Sequence, residues 1–81
     1  MAESYQDRIG RICDKARRIY DETLREKLEL THMGQSVVID VDTGNYYLGE
    51  TDDRAMKNAR EQQPYGLYCI IDIGRVTRIR Q

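Results

Sequence analysis

The chain has 81 residues, a formal net charge of -1 and no Phe or Trp. A chain this short buries only about 60% of the surface its unfolded form exposes, which excludes two separate cores, and its near-neutral charge excludes a globally basic nucleic-acid binder. Core volume must come from Ile, Val, Leu and six tyrosines, and so thin an aromatic supply favours association with a partner or a second copy.

The opening residues, MAESYQDRIGR, hold no apolar run long enough for a signal peptide or a membrane span, so a cytoplasmic location is expected. Ser4 followed by Asp7 is a variant capping box before a long helical pattern. Tyr5, Ile9, Ile12, Cys13, Ala16, Ile19, Tyr20, Thr23 and Leu24 recur at steps of three and four, which makes one apolar stripe. Asp7, Asp14 and Asp21 stand four residues before Arg11, Arg18 and Arg25, which predicts a solvated opposite face.

The stripe also fits a heptad seam. Ile9, Ile12, Ala16 and Ile19 are therefore candidates for a dimer interface, beside the simpler reading that the stripe lies on the sheet of its own domain. Gly10 inside it is a place where another backbone can come close. Run from Tyr5 to Glu29, the helix would span about 37 Å at 1.5 Å per residue, so it either overhangs or breaks near Leu24. Gly34 supplies a stop by taking positive φ, and the lone His32 reads as a loop or cap residue.

Val37–Asp42 and Tyr46–Glu50 then form a β-hairpin. Its turn, Asp42-Thr43-Gly44-Asn45, suits a type I turn with Gly44 in the left-handed position making a bulge. Val37, Ile39 and Val41 alternate with Val38, Asp40 and Asp42, so one face is apolar and the other becomes acidic toward the turn. Thr51 is a good N-cap for a short helix with Asp52 and Asp53 in its first turn and Ala55, Met56 and Ala59 on a narrow apolar face; Pro64 and Gly66 end it.

The run LYCIIDI, Leu67 to Ile73, is almost continuously apolar and is expected to be a central strand covered on both faces. Arg75, Arg78 and Arg80 close the chain as a short edge strand or a basic tail. The predicted architecture is one α+β domain over residues 1–81 in the order αββαβ, a mainly antiparallel sheet packed by helices, with the third strand beside the first and Tyr46–Gly49 at an edge.

Several chemistries are weighed on these residues. Asp40, Asp42 and Glu50 superficially echo a calcium loop, but Gly44 falls at the fifth position and Asn45 at the sixth, where an oxygen ligand and a glycine are required. Asp40 and Asp72 on neighbouring strands would suit a metal-dependent nuclease, and the tail arginines with nearby tyrosines a nucleic-acid accessory. Cys13 and Cys69 have neither zinc nor redox-pair spacing and read as small, buried, reduced residues. No cofactor, metal ligand set or catalytic group is assigned. The preferred use of the hairpin is recognition, with Asp40, Asp42, Tyr46, Tyr47 and Glu50 facing a basic protein partner.

Ile19-Tyr20-Asp21-Glu22-x-Leu24, Leu28-Glu29, His32-x-Gly34, Val37 through Tyr46, Ala55, Ala59-Arg60, Tyr68 and Ile73-Gly74 together resemble a family of short bacterial proteins without an established activity. The resemblance implies no established activity, only an association with toxin–antitoxin systems. Leu48-Gly49-Glu50-Thr51 followed by Ala55-Met56-x-x-Ala59-Arg60-Glu61 is also similar to the strand-to-helix signature of HicB-type antitoxins, which implies a toxin as the partner.

Overall fold

The computed structural model describes residues 5–74. The order of elements is α1 (Tyr5–Ile19), a π-helical turn (Tyr20–Leu24), α2 (Arg25–Thr31), β1 (Ser36–Asp40), β2 (Tyr46–Gly49), α3 (Asp52–Gln62) and β3 (Tyr68–Asp72). The three strands form an antiparallel sheet in the order β2-β1-β3. This is the predicted α+β arrangement.

The long helix does not break near Leu24; it widens there, and its first described side chains, Arg8 to Arg11, are exposed. Ala16, Tyr20, Leu24 and Leu28 are all buried at steps of four. In an α-helix each such step rotates about 40° past a full turn, so a row of them would wind off the sheet. The π-helical turn, closed by a hydrogen bond from the Arg25 N–H to the Tyr20 carbonyl, takes more residues per turn and absorbs that drift. It re-aims Leu24 and Leu28 at the sheet, although both had left the heptad seam.

These four side chains pack on Val37, Ile39, Val41, Ile71 and Ile73, with Ile12, Ile19, Tyr46, Leu48 and Cys69 around them. The charged side of the helix is exposed as expected; Arg25 lies 3.9 Å from Asp21 and 3.2 Å from Glu29. Glu29 also accepts a hydrogen bond from the Tyr20 hydroxyl at 3.3 Å. Burial raises the Tyr20 hydroxyl above its ordinary pKa, and the Glu29 charge adds to the effect while a Gly74 backbone hydrogen bond and Arg25 oppose it. Gly10 faces open space, so no backbone approaches there.

The opposite face of the sheet is covered by α3. Thr51 caps it, its hydroxyl accepting from the Arg54 N–H at 3.1 Å. Gln63, the residue before Pro64, turns extended at φ -148 and ends it. Ala55 and Ala59, both fully buried, meet Val38. They sit so close that a Cβ on Gly49 would fall 2.2 Å from the Ala55 nitrogen. Glycine is required at position 49 by this approach.

One expectation reverses. The run LYCIIDI is not central: β3 is an edge, half-buried along most of its length, and β1 is the central strand, buried at every position. Both runs are apolar, but only β1 is followed immediately by a hairpin that pairs on one side while leaving the other for β3. The residues Arg75, Arg78 and Arg80, with their predicted tail or edge strand, lie outside the described residues. No helix among the described residues is long and apolar enough to cross a membrane.

Candidate interaction face of the hairpin

The hairpin turn is wider than a type I turn with a bulge. The Asp40 N–H donates to the Asn45 carbonyl at 2.9 Å, and the Asp40 carbonyl accepts from Gly44 at 2.8 Å, which leaves a four-residue loop from Val41 to Gly44. Gly44 does take the left-handed conformation, at φ +82. Asp40 itself ends β1 two residues early. Its Oδ1 accepts from the Asp42 N–H at 2.9 Å, an Asx turn that takes the chain away from β2, while Val41 continues the register with the β3 side by bonding to the Leu67 carbonyl at 3.0 Å.

Asp40 is therefore an internal residue. It is 0% exposed, and its Oδ2 accepts from the Gln63 side-chain amide at 2.6 Å. The Gln63 side-chain oxygen accepts from the Tyr47 hydroxyl at 3.1 Å, and the Gln63 backbone carbonyl accepts from the Tyr68 hydroxyl. Partial burial, then the neighbouring Tyr47 and Asp40, raises the Tyr68 hydroxyl above its ordinary value, and Arg60 opposes them. The network ties the end of α3 to the turn end of all three strands. As a surface contact for a partner, Asp40 is corrected: it belongs to the interior.

The Asp40 and Asp72 pair also separates. Asp72 stands opposite Ser36, four residues along β1 from Asp40, which is about 14 Å at 3.4 Å per residue. Asp72 instead joins Ser36 and Asp52 at the other end of the sheet, where the Ser36 hydroxyl lies 2.5 Å from Asp52 and 3.4 Å from Asp72. No group of three His, Cys, Asp or Glu residues suited to a metal ion occurs among the described residues. Two carboxylates so far apart cannot share one Mg²⁺.

The other hairpin residues lie outward. Asp42 is exposed in the loop between β1 and β2, Glu50 is exposed just after β2, and Tyr46 and Tyr47 are half-buried on opposite faces of β2. Strand pairing alternates, so the Asp40–Asn45 bond turns the backbone groups of Tyr47 and Gly49 toward β1 and those of Tyr46 and Leu48 away from it. Asn58 confirms this by donating to the Leu48 carbonyl at 2.7 Å. It thereby covers one acceptor of an otherwise open strand edge.

Sequence reasoning missed the bases beside this edge. Lys27 from α2 reaches the Tyr46 hydroxyl at 2.9 Å, with its ammonium 5.5 Å from the ring centre. Arg54 lines an open groove of about 430 Å³ with His32, Gln35, Glu50 and Asn58. A second groove of about 490 Å³ runs past Asn45, Tyr46, Tyr47 and Gln63. Nothing in the local pattern marks Lys27, Asn58 or Gln63, because each acts through tertiary placement. Of the candidate dimer residues, Ala16 is fully buried in the chain's own core, Ile12 and Ile19 are partly buried against it, and Ile9 is 41% exposed. Comparison with protein-family models, curated proteins and solved structures finds no match to this chain in any of the three.

Proposed function

We propose that this chain is a non-enzymatic interaction module, antitoxin-like in kind, that receives a basic protein partner, a toxin in the preferred case, on the outer edge of its hairpin. The observation that carries this reading is β2 itself: an edge strand with Tyr46 and Leu48 N–H groups turned away from β1, flanked by exposed Asp42 and Glu50. Edges of this kind accept an added strand, and half-buried tyrosines beside them supply contact area. The proposed face is Asp42, Tyr46, Tyr47 and Glu50. Lys27 and Arg54 make it a mixed rim in which a partner's bases meet the two acids. Self-association, proposed for the same module, would use the outer part of the α1 stripe, Ile9 with Ile12 and Ile19.

The test is quantitative co-purification from the native host with the wild-type chain and with Asp42→Lys plus Glu50→Lys. A partner held by wild type, released as salt rises and lost by a folded double variant supports the reading. Recovery of this chain alone, or of a partner held equally by both proteins, rejects it.

A further inference from the structure

Cys13 and Cys69 lie far apart in sequence, yet the fold brings them together. Cys13 precedes the fully buried Ala16 by three residues on the sheet-facing stripe of α1. Cys69 is the partner of Ile39 in the ladder, so its side chain points to the same face and packs against the same core cluster. The two side chains face one another across the α1–β3 contact, close enough for Cys13 to act on the Cys69 thiol. Both are free thiols, and both are half-buried.

We propose that Cys13 and Cys69 form a reversible intramolecular disulfide that pins α1 to the edge strand β3 when a low-molecular-weight disulfide oxidant is present. The Cys13 thiolate attacks one sulfur of the oxidant and expels one thiolate, giving a mixed disulfide. The Cys69 thiolate then attacks the Cys13 sulfur and expels the second. Two electrons pass to the oxidant, which leaves as two thiols carrying the two protons the cysteines lose.

The location gives the bond a consequence. Among the described side chains of α1 only Ala16 is fully buried, Ile12 and Ile19 are partly buried against the core, and Arg8 to Arg11 are exposed, so this helix is a place where local opening is expected. A covalent tie at Cys13 would suppress its separate opening. The bond would form and break slowly. Burial, then the neighbouring Cys13 thiol, pushes the Cys69 thiol up to about 12, with Arg17 and the Ile70 backbone opposing. Such a sulfur is a scarce nucleophile near neutral pH and a poor leaving group once bonded.

The experiment treats the full chain with oxidised glutathione and reads its intact mass, its non-reduced peptide map and its melting temperature. The expected result is a monomer lighter by two hydrogens, with the peptides holding Cys13 and Cys69 joined. Its melting temperature should rise, and dithiothreitol should return it to the starting value. Hydrogen exchange should slow in α1 more than in α3. Cys13→Ser and Cys69→Ser, verified as folded by circular dichroism, should each abolish the internal bond. Glutathione adducts on either cysteine as the final product, disulfide-linked dimers, or no reaction in a protein whose thiols react fully in denaturant would each overturn the proposal.

Discussion

On one face of the sheet Tyr20, Leu24 and Leu28 fill the space above Val37, Ile39 and Ile71; on the other Ala55 and Ala59 lie almost against the backbone of β2. The first face is built from volume, and its helix must be re-phased by a π-helical turn to bring Tyr20, Leu24 and Leu28 onto the sheet after Ala16. The second is built from closeness. With so little side-chain volume between α3 and the strands, the polar groups at its two ends, Ser36 and Asp40, become buried and are hydrogen-bonded. The same alternation that sends Val37 and Ile39 to the apolar side thus sends an acid into the interior.

The difference predicts graded damage. Leu28→Ala removes a fully buried side chain from the thick face and should cost about 2–5 kcal/mol in a denaturant titration, the largest single effect. Gly49→Ala breaks the thin face by addition. A methyl aimed at the Ala55 backbone forces α3 outward at about 1–3 kcal/mol, and a linear Gly49→Ala, Gly49→Val series should worsen with side-chain size. Thr51→Ala removes only the cap that starts α3 and should cost about 1 kcal/mol, read as a fall of roughly 4–8 °C in Tm for a domain of this length.

The same contrast explains what could be read in advance. The element order, the N-cap at Thr51, positive φ at Gly34 and Gly44 and the pairing of β3 with β1 follow from local pattern and turn chemistry. The location of LYCIIDI does not, because an apolar run reports burial and not which neighbour supplies it; β3 is covered by α1 on one face and α3 on the other, as expected, while its outer edge is unpaired within the sheet. Asp40 misleads for a related reason. Alternation places it on the face opposite Ile39, and only the position of Gln63, fixed where α3 ends, decides that this face is closed and not wet. Lys27 beside Tyr46 and the Cys13–Cys69 contact likewise depend on how the re-phased helix crosses the sheet.

The hairpin acids thus divide between the two roles: Asp40 serves the fold, and Asp42 and Glu50 are left for the surface. The most direct test compares unfolding free energies of Asp40→Ala with those of Asp42→Ala plus Glu50→Ala in one denaturant series. Removing Asp40 takes the acceptor from one Gln63 amide hydrogen, the other keeping the Tyr65 carbonyl, and from the Asp42 N–H, and should cost about 1–3 kcal/mol, whereas the double surface variant should stay within about 0.5 kcal/mol of wild type. An Asp40→Ala protein as stable as wild type, or a double variant that loses more than it does, would contradict the account.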